Sequence, residues 1–448
     1  MKRSKRLKRL QRPESLLEHV RQFLTPRVWK QARQAAPRRR DPARWDLQPL
    51  VLILLAMTWA AGDSQPERFE MARGFYVASY RGRRRPGKTL PGLQKALARL
   101  PMRPLRALAA GVRHEIRRRY AQRLLVAGFE PMGCDGSRIE CPRAAELERR
   151  LRPAGKEDSA PTLWVTAFVH LGTGLLWSWQ IGPGTADERA HLRLLLGTLS
   201  PAALVVADAA YMGYELAMAI VDSRRSFLLR VSSKTFLYTA EEAELTSWAE
   251  GLVYYWPVKV REAGRPPLAC RLIRVAARGG AKHDVWLLTD VLDPRRLSAA
   301  TAATFYRWRW KNEGAFRIYK RTLSKFKLWS RTVRLARREA EVSLLATQLL
   351  LAHADLAVRP AGSEGRPAIS PRKVLVAIRG EMRGAAEGKE AGYRRRLEGC
   401  RAEARDQKSA KARREWPRRQ PHKPPRPPVL KPLTEELKVL MREQLNAA

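Results

Sequence analysis

The chain is poor in acid. Only 43 Asp and Glu stand against 87 Lys and Arg, giving a net charge of +44 and a pI near 11.2. A deficit that large excludes a chain with no charged partner to answer it and points to a polyanion, nucleic acid first and an acidic membrane surface second. Cysteine is scarce too: Cys134, Cys141, Cys270 and Cys400 form no CxxC pair, so neither a zinc site nor a disulfide framework is expected, and a reducing cytoplasm is. Long apolar runs are missing. The longest, Leu50 to Ala61, is flanked by Asp46 and Asp63, is too short to span a bilayer, and reads as a buried core helix. The opening MKRSKRLKRLQR is basic with no apolar stretch behind it, so no secretory signal and no membrane partner are expected.

What is present suffices for a sizeable core. The 448 residues are 45% hydrophobic and are a prior for two to four domains. Residues 1–13 read as a basic disordered arm. Residues 14–125 are helical in pattern. Ser15 with Glu18 has capping-box spacing, and Ser64 with Pro66 marks another helix start. With its basic loops this module is either DNA-binding or a docking domain with a solvated basic face. From residue 126 the texture changes. LWVTAFVHL and LLWSWQI flank Gly172-Thr173-Gly174 as a hairpin, and 203–207 reads as a buried strand with Asp208 at its carboxyl end. Residues 232–290 have a period near two and read as a mostly β insertion, closing with a strand at 285–289. A second apolar helix is expected at 339–357. Residues 359–448 are rich in Pro, Arg and Lys and read as a largely disordered basic tail with a short helix at 434–446.

The stretch 297–323 organises the rest. Read as one helix at about 100° per residue, it places Tyr306, Arg309, Glu313 and Lys320 within an arc of roughly 60° over about 21 Å. Glu313 is the sole carboxylate between Pro294 and Arg338. The bases around it include Arg309, Lys311, Arg317 and Lys320. One acid among many bases suits a metal ligand beside a phosphate backbone. It equally suits a solvated basic helix with (i, i+4) pairs. Asp135, within CDGS after an expected strand, and Asp208, at the end of another, are the other two acids in telling places. Acids at neighbouring strand ends, joined by one from a helix across the sheet, can converge on two Mg²⁺ about 3.5–4 Å apart.

These residues together resemble the insertion-sequence-four family of DDE transposases. Asp135-Gly136-Ser137 with Pro142 is similar to the first-acid motif of that family. Asp208, preceded by Val205-Val206-Ala207 and followed by Tyr211, is similar to the second. Tyr306-x2-Arg309-x3-Glu313-x6-Lys320 fits the Y-R-E-K signature in every residue and gap. Ala210, where glycine is usual, and Asn312, where an apolar residue is usual, depart from the pattern. The resemblance covers roughly 125–357. It implies an RNase H-like α/β fold over 126–358, with a mixed sheet flanked by helices. Asp135, Asp208 and Glu313 would be both catalytic residues and metal ligands, holding two Mg²⁺ that Mn²⁺ can replace. Tyr306, Arg309 and Lys320, with Lys311 and Arg317 nearby, would bind DNA. It further implies terminal inverted repeats and target DNA as partners, a homodimer on paired ends, and cut-and-paste chemistry in the bacterial cytoplasm. Trp248 and Trp256 in the insertion are candidates for stacking on an unpaired base, or are insertion core. A hydrolytic nuclease on the same core and a catalytically decayed DNA-binding regulator are the competing readings.

Overall fold

A computed structural model describes residues 13–37, 45–82, 84–151, 159–277, 283–358, 369–388, 392–402 and 426–446. Residues 1–12 of the expected arm and 403–425 of the tail lie outside them. Seven helices open the chain: α1 Leu16–Arg21, α2 Pro26–Gln34, α3 Leu47–Trp59, α4 Gln65–Ser79, α5 Leu90–Arg99, α6 Met102–Arg119 and α7 Ala121–Leu124. Their starts follow the cap chemistry of the sequence. Ser15 and Glu18 close a reciprocal capping box, and Thr25, Ser64 and Thr89 each accept from a backbone N–H in the first turn of the helix that follows.

The sheet comes next: β1 Glu130–Glu140, α8 Ala145–Leu151, β2 Thr162–His170, β3 Leu175–Pro183, α9 Glu188–Leu196, β4 Ala203–Ala207, α10 Tyr214–Asp222 and β5 Ser226–Arg230. Strands β1, β2 and β3 form an antiparallel meander, while β4 and β5 run parallel to β1, giving the order β3-β2-β1-β4-β5. That topology is consistent with the RNase H-like fold the sequence resemblance implies. Gly174, at φ +75°, closes the β2–β3 turn in the left-handed region.

The expected insertion is β-rich: β6 Phe236–Thr239, β7 Glu250–Tyr255, α11 Val258–Glu262, β8 Leu268–Val275 and β9 Val285–Thr289. It extends the same sheet, because β9 pairs antiparallel with both β5 and β8. There follow α12 Ala299–Trp308, α13 Trp310–Arg317, a π-turn Ile318–Thr322, α14 Val333–Val358, α15 Pro371–Ala386, α16 Tyr393–Glu398, β10 Val429–Pro432 and α17 Glu435–Asn446.

The two faces of the sheet are buried differently. Leu204, Val206, Leu228 and Leu287 point to a small cluster closed by α12 through Ala302 and Phe305. Their alternating neighbours Val205, Ala207, Phe227, Leu229 and Leu288 point to the main core. That main core also takes in the N-terminal helices. Helix α14 runs through it: Trp59 Nε1 donates to Ala346 O at 3.2 Å and Tyr120 OH donates to Ala352 O at 2.7 Å. Apolar enough to cross a membrane by composition, α14 is instead a buried core helix.

Two expectations are corrected here. The tail is not largely disordered among its described residues. Val374, Leu375, Ile378 and Met382 make a helical stripe that is buried in the main core, and β10 pairs with β6 as the last strand of the sheet. Its high Arg and Pro content hid that stripe. The stretch 297–323 is also not one uniform helix. Arg309 N and Asn312 N make i→i−3 bonds that tighten the chain between α12 and α13, and Leu323 N reaches back five residues to Ile318 O. Buried Tyr319, hydrogen-bonded to Ser343 on α14 at 2.9 Å, draws the π-turn inward, so Lys320 leaves the phase of a straight helix.

Candidate active site

Asp135 does not follow a strand; it lies inside β1, which continues to Glu140. Gly136-Ser137, which resembles a turn in sequence, stays paired with Thr166 and Val165 of β2. Asp208 does stand directly after β4. Met132 and Gly133 pair with Val205 and Val206, so continuing that register sets Asp135, inside β1, opposite Asp208, just past the end of its parallel neighbour β4. Each aspartate uses Oδ1 locally: Asp135 accepts from Gly136 N and Asp208 from Ala210 N, both at 2.9 Å. The second bond shows why alanine is tolerated at 210, since the turn Ala209–Tyr211 needs no left-handed residue there. No other hydrogen bond or ion pair engages either carboxylate among the described residues.

Glu313 sits on α13, half-buried, and among the described residues it forms no hydrogen bond and no ion pair. The (i, i+4) pairing of a solvated helix is therefore not what it does. Helix α13 is brought onto β1 by the residue before it. Asn312 is 0% exposed and lies against Gly133; with its amide oriented to satisfy both groups, it donates to Gly133 O and accepts from Cys134 N at 3.3 Å. The departure at Asn312 is thus a polar anchor under the helix. It seats α13 on the strand that carries Asp135.

Charge at the site is held in tension. Burial pushes the Asp135 carboxyl up to about 6; the Gly136 N–H and Arg309 pull it down, and Asp208 and Glu188 push it further up. Glu188, the first residue of α9, is raised by burial and by Asp208, against a hydrogen bond from Tyr211 OH at 2.5 Å. Arg309 lies 5.7 Å from the Tyr306 ring and 5.4 Å from the Trp310 ring, and its buried Nε has no partner among the described residues. Arg317 is exposed and Lys320 is half-buried, its pKa lowered by burial. Lys311 is turned inward: Nζ donates to Leu171 O at 2.5 Å and stands 4.5 Å from the Trp308 ring centre, bracing the β2–β3 turn.

The aromatic candidates of the insertion are corrected. Trp256 is 0% exposed and donates to Arg265 O at 2.8 Å. Trp248 is half-buried, lies on Gly251 and donates to Leu272 O at 3.1 Å. Both are insertion core. The aromatic side chain exposed beside Arg309 is Trp310, at 64%. Sequence reasoning also passed over Glu188 and the anchoring role of Asn312. The DER run opening α9 was the available signal for the first; nothing in spacing marked the second.

Fold and site together define an α/β domain with a carboxylate centre facing a basic helix. Residues 134–350, which include all three acids and the whole of 306–320, match the family model described as "Transposase DDE domain". That match supports a DDE transposase. Among solved structures the chain is similar to the piggyBac transposase synaptic complex with hairpin DNA, with 13% identity and a TM-score of 0.44, over 86% of this chain and 82% of that one. No curated protein matches significantly.

Proposed function

We propose that this chain is a DNA transposase of the insertion-sequence-four type, which cuts at the ends of its element and joins them to target DNA. The observation that carries this is the state of the three acids. Asp135, within β1, and Asp208, just past the end of the parallel neighbour β4, each keep one carboxylate oxygen without a donor among the described residues, and Glu313 has no partner among them. Oxygen-only donors fit a hard divalent cation such as Mg²⁺ or Mn²⁺. Among the described residues no group of three or more acids, histidines or cysteines stands close enough to hold an ion unaided. Mg²⁺ commonly binds through one or two carboxylates completed by water and substrate phosphate oxygens, and that is the arrangement proposed here.

Asp135 and Asp208 would hold the ions, with Glu313 completing the set once DNA is in place. Cations held there would supply activation of a water and stabilisation of the leaving oxygen in an in-line phosphodiester displacement. The protein's own part is positioning. Arg309 would offer its guanidinium to a phosphate oxygen, and Tyr306, Arg317 and Lys320 would extend that contact along the helix. Water as nucleophile frees a 3′-hydroxyl, which then serves as nucleophile on the second strand or the target. The excess positive charge grips the backbone without regard to sequence, so affinity should fall steeply with salt. A cut-and-paste route through a hairpin, a homodimer on two inverted repeats and a bacterial cytoplasmic location complete the proposal; four free buried cysteines support the last. Glu313→Gln tests it: DNA affinity should stay within about twofold while cleavage is lost, and cleavage at the normal rate would remove Glu313 from the site.

A further inference from the structure

The turn that carries Asp208 is gripped from one side by the start of helix α9. Tyr211, three residues after Asp208 and 1% exposed, donates its hydroxyl to Glu188 Oε2 at 2.5 Å. The next residue, Arg189, donates through Nε to Ala210 O at 2.9 Å, and its guanidinium would lie 3.3 Å from a side chain placed on Gly213. Two consecutive residues of one helix thus hold the segment 210–213 by a side chain, a carbonyl and a close packing contact.

Helix α9 is itself tied to the first acid's strand. A Cβ on Gly136 would meet the Glu188 carboxyl carbon at 2.7 Å and Oε2 at 2.8 Å, so the absence of a side chain at 136 is what admits Glu188. Residues alternate across a strand, so Gly136 shows Glu188 the face of β1 opposite to the one bearing Asp135. Gly133, on Asp135's face, is the residue touching Asn312 of α13. Glu188 therefore lies beneath the site, on the far side of the strand from α13. Asp187, the residue capping α9, accepts from Arg189 N at 2.9 Å and fixes the helix start.

We infer that Glu188 and Arg189 are positioning residues that set the distance between Asp135 and Asp208, Glu188 acting through the Tyr211 hydroxyl and the Gly136 gap. The inference rests on the proposed transposase reading. It gives the aromatic after Asp208 a specific need for its hydroxyl, which phenylalanine would not meet. Because the clamp governs where one ligand stands relative to another, its loss is felt in cation affinity before it is felt in DNA affinity.

The test uses the full-length protein bound to element-end DNA, with free Mn²⁺ followed by electron paramagnetic resonance and single-turnover cleavage measured over a Mg²⁺ series. Tyr211→Phe and Glu188→Ala should each raise the half-saturating Mn²⁺ concentration about 10-fold, the range found for partners that orient metal ligands. The double variant should be no worse than either single one, because both remove the same bond. Arg189→Ala, at an exposed position that keeps folding safe, should raise it about 3-fold by the same route. DNA affinity should stay within about twofold throughout. Lower melting temperatures with unchanged Mn²⁺ and Mg²⁺ curves would show a merely structural role and overturn the inference, as would additive losses in the double variant. A wild type that neither takes up Mn²⁺ nor cleaves overturns the transposase reading, and the inference with it.

Discussion

Gly133→Ala puts the placement of α13, which carries Glu313, to a direct test. A methyl group on Gly133 would stand 2.6 Å from Leu171 Cδ2 and 2.7 and 2.8 Å from the two terminal atoms of the Asn312 side-chain amide. Ordinary contact begins at 3.4 Å, so the neighbours must give way by roughly 0.6–0.8 Å. The leucine methyl can rotate aside. Asn312 is held by its bonds to Gly133 O and Cys134 N, so α13 must lift. Overpacking of this size costs about 1–3 kcal/mol. The larger effect is on chemistry: Glu313, the next residue, moves with the helix, and a displacement approaching 1 Å costs up to about 100-fold in rate. Chemical denaturation and single-turnover cleavage of pre-bound end DNA are the two assays. A 10- to 100-fold slower cleavage at unchanged DNA affinity is expected. Asn312→Ala added to Gly133→Ala should recover part of the stability, with a coupling of about 0.5–2 kcal/mol. A Gly133→Ala protein as stable and as fast as wild type would refute the packing account of how Glu313 is placed.

Other consequences follow from single groups. Asp135 has its folded pKa raised to about 6 from an ordinary 3.8, by burial first, so the native state holds that proton more tightly than the unfolded chain. The contribution to stability is full below about pH 4 and is lost as pH rises toward 6; Asp135→Asn should remove that slope and stabilise the protein at pH 7 by about 1–3 kcal/mol, read from urea midpoints at several pH values. Glu339 accepts from Lys325 Nζ at 2.8 Å and from Trp329 and Ser330 backbone N–H groups; burial would raise its pKa, but these partners lower it. Glu339→Gln, which strands a buried lysine, should cost about 3–5 kcal/mol in the same assay. Ile378→Ala, at a 0% exposed position of α15, should cost about 2–5 kcal/mol, whereas a dispensable tail would show no change.

The sequence was most legible where a local rule carries the information. Capping residues marked the starts of α1 and α4, and the β2–β3 hairpin followed from its glycines. The buried strand before Asp208 was an apolar run of ordinary strand length. What was missed depends on contacts between distant segments. The π-turn after Arg317 exists because Tyr319 reaches Ser343 on another helix. Trp256 resembles any aromatic in an alternating strand until its environment is known. The α15 stripe was present at helical spacing but lay inside a segment whose average composition is that of a linker. At the candidate site, both aspartates and the glutamate were singled out from their settings in sequence, and their roles are proposals. Glu188 was not, because it contacts Tyr211 across 23 positions in the chain and Gly136 across the sheet.

The central claim is that Asp135, Asp208 and Glu313 form a metal-dependent centre for cutting DNA. Incubating the protein with the end DNA of its own element, with and without Mg²⁺ or Mn²⁺, and comparing wild type with Asp208→Asn tests it most directly. The account predicts nicking at the element end that requires the cation and disappears in the variant while DNA binding persists. Tight binding without cleavage by the wild type, or equal cleavage by Asp208→Asn, would contradict it.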